Sequence, residues 1–176
     1  MPLQAQELKP FKANNGKFGY KDANGKIIIQ PQYELAHDFS EDLAAVLGVN
    51  KAGYAVFGYI DKFGKLIIPY QFYEAKTFLN GLAKVTNLNQ KMGYIDKFGK
   101  EVVPIKYEGL DDFYEDMAMI SYIDEDYSSH YGFIDRSGKE VIPMIYEKAE
   151  RFKNGKAEVR LDYMTFYIDK TGKKVK

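Results

Sequence analysis

Gly58-Tyr59-Ile60-Asp61-Lys62-Phe63-Gly64-Lys65 recurs as Gly93-Tyr94-Ile95-Asp96-Lys97-Phe98-Gly99-Lys100. A third copy reads Gly132-Phe133-Ile134-Asp135-Arg136-Ser137-Gly138-Lys139. Worn copies stand at Gly19-Tyr20-Lys21-Asp22 with Gly25-Lys26, and at Tyr167-Ile168-Asp169 with Gly172-Lys173. The five aspartates are separated by 39, 35, 39 and 34 residues. A fixed period of this length marks a repeat architecture. One small unit that cannot bury its apolar face alone is used five times, and its neighbours complete the core.

Around each copy the same columns return. A run ending near Phe11, Val46, Val85, Ile120 or Val159 precedes the Gly-aromatic-Ile-Asp run, and an Ile/Val-rich run follows it, as in Leu66-Ile67-Ile68. β-Branched and aromatic residues bounded by Gly, Asn and Asp predict three short strands per unit. Between the second and third runs stands Asp-x-x-Gly: Asp22 to Gly25, Asp61 to Gly64, Asp96 to Gly99, Asp135 to Gly138, Asp169 to Gly172. Asp opens a turn by accepting a backbone N–H, and Gly supplies the left-handed residue that returns the chain to a strand. These ten residues are read as structural. Pro69, Pro104 and Pro143 then end a strand or mark a sheet edge. A connector follows with two aromatic columns, the second being Phe39, Phe78, Phe113 and Phe152. The connector is a candidate fourth strand. The fold class is therefore all-β: five tandem antiparallel meanders in a curved, propeller-like arrangement, with an open β-solenoid as the alternative.

The composition narrows the function. Lys plus Arg and Asp plus Glu number 25 each in 176 residues, which argues against a bulk attraction for nucleic acid. No apolar run reaches the roughly 18 residues of a membrane span, and no Cys is present for a disulfide or thiolate site. Residues 1–7 differ from the repeats. They are read as a tail, with Pro2-Leu3-Gln4-Ala5-Gln6-Glu7 resembling a signal-peptide remnant, so export to the periplasm or cell surface is the expectation beside a cytoplasmic location. Residues 8–176 are read as one repeat domain.

These columns resemble the bacterial WG-repeat (KWG-repeat) family, whose pattern runs Gly-Lys-Trp-Gly-Tyr-Ile-Asp-x-x-Gly-Lys and continues through Pro, Tyr, Ala and Phe columns. Gly16-Lys17-Phe18-Gly19-Tyr20 and Gln90-Lys91-Met92-Gly93-Tyr94-Ile95-Asp96 carry the first part; Pro69, Phe72, Ala75, Phe78, Gly81-Leu82-Ala83 and Val85 carry the rest. The resemblance spans nearly all of residues 11–176. It departs at the Trp column, which reads Phe18, Phe57, Met92, Tyr131 and Thr165 in a chain without Trp. It implies an all-β repeat domain, often exported, with no catalytic residues to carry over.

Chemistry is sparse. The two histidines, His37 and His130, lie in no nucleophile elbow, phosphate loop or zinc-helix motif. Ser128-Ser129-His130 is a coincidence of sequence, and the repeated aspartates serve turns better than they serve a glycosidase pair. Function is expected where the copies differ. The inter-strand loop is four residues longer in the second and fourth units, at residues 48–55 and 122–130. The candidate binding residues are Tyr54, Tyr122, Asp124, Asp126, Tyr127 and His130, because acid, hydroxyl and aromatic groups on loops of a rigid scaffold suit recognition. Tyr70, Tyr114 and Tyr163 are further candidates for exposed surface. The reading is a non-catalytic module for protein–protein interaction or scaffolding, with no cofactor and no metal. A carbohydrate-binding module using exposed aromatics is the alternative, and a hydrolase the weakest third.

Overall fold

The computed structural model describes residues 7–176. The expected tail, apart from Glu7, lies outside the described residues. Every regular element is a β-strand, and no helix is long and apolar enough to cross a membrane among the described residues. The first sheet has three strands, β1 (Lys9–Lys12), β2 (Phe18–Lys21) and β3 (Ile27–Tyr33). Four-stranded sheets follow. The second comprises β4 (Leu35–Ala36), β5 (Ala44–Val49), β6 (Ala55–Ile60) and β7 (Leu66–Phe72) in that order. The third comprises β8 (Glu74–Ala75), β9 (Leu82–Thr86), β10 (Met92–Asp96) and β11 (Glu101–Tyr107); the fourth β12 (Gly109–Leu110), β13 (Met117–Ile123), β14 (Ser129–Asp135) and β15 (Glu140–Tyr146). The fifth comprises β16 (Lys148–Ala149), β17 (Lys156–Leu161), β18 (Met164–Asp169) and β19 (Lys174–Val175).

The connector does form a fourth strand, and it joins the sheet of the following repeat. β4 pairs with β5 through Ala36 and Val46, and β16 pairs with β17 through Ala149 and Val159. The chain forms two compact units: the chain through Asn89 with Ile95–Lys100, and Gln90–Tyr94 with Glu101–Lys176. In the first, Tyr20, Ile29, Tyr33, Val46 and Ile60 lie in one buried cluster; in the second, Phe133, Ile142, Tyr146, Phe152 and Ile168 do.

The aromatic columns explain this core. The ring after the Gly column meets the connector Phe of its own repeat: Tyr20–Phe39 at 4.7 Å between centroids, and Tyr59–Phe78, Tyr94–Phe113 and Phe133–Phe152 each at 4.9 Å. The tyrosine hydroxyls donate to the connector backbone, Tyr20 to the His37 carbonyl and Tyr59 to that of Lys76 at 2.7 Å each. Burial pushes the Tyr59 and Tyr20 phenols well above their ordinary range. The proline sits inside an edge strand, β7 continuing from Leu66 through Pro69 to Phe72, so of the two sequence readings the edge applies. There the strand bulges toward its neighbour. A Cβ on Gly58 would stand 2.7 Å from the Ile68 carbonyl oxygen, which explains the Gly column by close approach.

The Asp-x-x-Gly turns are superimposable in their bonding. Asp61 Oδ1 accepts the N–H groups of Phe63 and Lys65, and Asp96 Oδ1 those of Phe98 and Lys100, all at 2.9 Å. Gly64 and Gly99 take φ of 81° and 82°. Each turn also packs on the preceding repeat: a Cβ on Gly64 would meet Ile29 at 3.3 Å, and one on Gly99 would meet Ile68 at 3.2 Å.

Candidate functional site

The two long inter-strand segments are not loops. Gly48, Val49 and Ala55 are strand residues of β5 and β6, and Tyr122, Ile123, Ser129 and His130 are strand residues of β13 and β14. The extra residues lengthen the hairpin arms, because cross-strand pairing continues through Tyr122↔His130 and Ile123↔Ser129. What projects at the tip is a short turn of the same construction as Asp-x-x-Gly.

In the β13–β14 hairpin that turn is tightly held. Asp124 N–H donates to the Ser128 carbonyl at 3.0 Å, and Tyr127 N–H to the Asp124 carbonyl at 3.1 Å. Asp124 Oδ1 accepts the N–H groups of Asp126 at 3.0 Å and Ser128 at 2.8 Å. Its Oδ2 lies 2.7 Å from His130 Nε2. The His130 contact, followed by the Ser128 N–H, holds the Asp124 carboxyl below the usual carboxylate range. Tyr122 stacks on the His130 ring, centroids 4.8 Å apart and planes 17° from parallel. Tyr127 occupies the position where every Asp-x-x-Gly turn has glycine. Its φ is 60° and its side chain is 90% exposed. A bulky residue there costs roughly 1–2 kcal/mol.

The structure thus brings Tyr122, Asp124, Asp126, Tyr127 and His130 onto one hairpin tip. Asp126 contributes a backbone N–H to the turn while its side chain is exposed. Tyr54 belongs to the other compact unit, at the end of the turn between β5 and β6. Its N–H donates to Asn50 Oδ1 at 3.0 Å and its ring is 58% exposed. Asn50, Lys51 and Ala52 of the same turn line a shallow depression of about 440 Å³ with Val49, Leu66, Pro69 and Tyr70. Gly48 admits Tyr70 to this surface, since a Cβ at Gly48 would stand 2.4 Å from the Tyr70 ring. Tyr70 is accordingly half-buried against the core, and Tyr114 is half-buried with the Arg151 guanidinium 4.5 Å from its ring centroid. Both depart from the expectation of free surface.

Sequence reading passed over Met164 beside Tyr163. The β17–β18 hairpin closes with Asp162 and Tyr163 at φ of 49° and 63°, leaving Tyr163 91% exposed and Met164 exposed next to it. The signal available was the missing glycine, since a two-residue hairpin turn with both φ positive favours Asn-Gly. No three His, Cys, Asp or Glu side chains among the described residues converge as a metal cage. The Asp124 oxygens are taken up by the turn and the imidazole. The tip can offer a pre-organised surface of tyrosine faces, hydroxyls and the exposed carboxylates of Glu125 and Asp126.

The half-buried Trp-column residues Phe18, Phe57 and Tyr131 sit across the sheet from Tyr33, Phe72 and Tyr146, a packing role. No curated protein matches the sequence. Among solved structures, the crystal structure of the WD40 beta propeller domain of Doa1 is similar over 98% of this chain and 68% of that one, at 12% identity and a TM-score of 0.39. The model of the WG containing repeat matches four segments, residues 18–47, 57–91, 92–124 and 131–163. With these segments covering most of the five-fold pattern, the chain belongs to the WG-repeat family.

Proposed function

We propose that the chain is a non-catalytic repeat module that binds a protein partner through the tip of the β13–β14 hairpin. One observation carries this reading. Tyr127 is held 90% exposed in a left-handed conformation that the other turns of this construction reserve mainly for glycine. Strain of this kind at an exposed aromatic points to use of the ring. The Asp124 bonds and the Tyr122–His130 stack fix the tip before any encounter, so little ordering entropy remains to oppose binding. Tyr offers a rigid apolar body with a polar end, the side chain enriched at protein interfaces.

The test is capture of a partner by the tagged chain and by a variant lacking residues 124–129. One stoichiometric protein retained by the parent and lost by the folded deletion supports the reading. Equal capture by both removes it. The depression lined by Tyr70, with Tyr54 exposed on the Asn50–Tyr54 turn, favours a second reading, a glycan stacked on an aromatic face. Glycan-array binding lost on Tyr54→Ala would select that reading.

A further inference from the structure

Phe63 and Phe98 are 91% and 90% exposed, at the tips of the Asp-x-x-Gly turns of two successive repeats. Both belong to the first compact unit. The corresponding positions hold Asn24, Ser137 and Thr171 in the other repeats, so the turn itself has no need of an aromatic. Apolar rings left in water on two neighbouring hairpins call for an occupant. The Phe63 turn stands at the end of β6 opposite the Asn50–Tyr54 tip, and the Phe98 turn stands at the corresponding end of β10.

We propose that Phe63 and Phe98 dock the protein peripherally on an anionic lipid surface. Three observations select this occupant. First, the two turns share the same bonds, the same glycine φ and the same seat on the preceding repeat, on Ile29 and Ile68. Two turns of the same construction in successive repeats present the ring in the same local setting, which fits insertion of both into one extended surface. Second, both rings are almost fully exposed at their turns, where acyl chains could receive them. Third, each ring is flanked by lysines. Lys62 pairs with Asp42 at 2.6 Å, and Lys97 with Glu41 at 3.4 Å. Lys65 and Lys100 are exposed and carry no ion pair among the described residues. Those two free cations complement lipid phosphate and phosphatidylserine headgroups.

The experiment is co-sedimentation of the full chain with vesicles of phosphatidylcholine alone and of phosphatidylcholine with phosphatidylserine, at low and high salt. F63S/F98T carries residues that other repeats use natively at these positions, so its fold is preserved. The parent is expected to sediment with the anionic vesicles and to be released by salt. F63S/F98T should lose about tenfold or more in partitioning, and K65Q/K100Q about fivefold per lysine on anionic vesicles alone. Absence of sedimentation by the parent overturns the proposal, as does equal sedimentation by F63S/F98T. So does capture of a soluble protein by the parent, lost in F63S/F98T, without vesicle binding; that result would give the two rings to a protein partner. Tyr127 is untouched in these variants, so their outcome is independent of the β13–β14 tip.

Discussion

The tips at Asn50–Tyr54 and Asp124–Ser128 are one structure with two sets of side chains. In each, the first residue accepts two backbone N–H groups on its Oδ1: Ala52 and Tyr54 on Asn50, Asp126 and Ser128 on Asp124. In each, the fourth residue bonds back to the first through its N–H and takes positive φ, 85° at Gly53 and 60° at Tyr127. The arms differ as well. Gly48 faces Val56 and leaves room for Tyr70, while Tyr122 faces His130 and stacks on it. Backbone needs alone are met by Asn and Gly, as the first tip demonstrates. The carboxylate, imidazole and strained tyrosine of the second are additions for which the turn has no requirement.

The comparison requires that both hairpins rest on equivalent cores. Phe78 packs on Tyr59 of β6 and Phe152 on Phe133 of β14, and both connector rings are buried. Phe78→Ala and Phe152→Ala should each cost about 3–5 kcal/mol in urea unfolding. A marked inequality would break the equivalence. The next effect lies in the one chemical difference behind the hairpins. Tyr59 donates to the Lys76 carbonyl, and Phe133 has no hydroxyl to do so. Tyr59→Phe should cost about 1–3 kcal/mol, since it removes the donor to a part-buried carbonyl. A cost no greater than the error of the melt would mean that water replaces the hydroxyl.

Exchange of the left-handed residues sharpens the contrast directly. Tyr127→Gly should stabilise the protein by about 1–2 kcal/mol, and Gly53→Tyr should destabilise it by a similar amount. Loss of stability in Tyr127→Gly would show that the ring packs and is no free surface. The smallest effect is in pH. The Asp124 carboxyl is depressed in the folded state, so its contribution is present above the ordinary carboxylate range and is lost as pH falls through its lowered value. Acidification should therefore lower the amide-exchange protection factors, measured against the intrinsic rate at each pH, at Asp126 and Ser128. Ala52 and Tyr54, held by the amide of Asn50, should show no such step. Parallel behaviour at both tips would remove the carboxylate from the account.

Much of this was legible because backbone geometry constrains the residues that can serve it. Asp22, Asp61, Asp96, Asp135 and Asp169 advertise their turns, since few side chains can accept two N–H groups in so short a span. The Pro and Phe columns likewise disclosed an edge strand and a core ring. The sheet that each connector joins was not legible, since β4 meets β5 only through tertiary pairing. The hairpin arms read as loops in the sequence because residues 48–55 and 122–130 are insertions against the other copies; Tyr122 and His130 form a cross-strand stacked pair and so are strand residues. Least visible was the role of Glu41 and Glu115. They stand at φ of 50° and 51° in two-residue turns where Asn-Gly is preferred. Glu41 accepts the Gly81 N–H at 3.0 Å, and Glu115 accepts those of Asn154 at 2.6 Å and Gly155 at 2.9 Å. The N–H groups of Gly155 and Asn154 hold the Glu115 carboxyl below its ordinary range. A local penalty is thereby offset by a bond to the next connector, about forty residues on, where no local pattern can report it.

The central claim rests on the Tyr127 ring, and capture of a protein partner by the parent and by Tyr127→Gly tests it most directly, with thermal melts run on the same samples. The account predicts that Tyr127→Gly melts at or above the parent temperature and fails to retain the partner. Full retention by a stable Tyr127→Gly would contradict it, and would leave the strained tyrosine without a function at this tip.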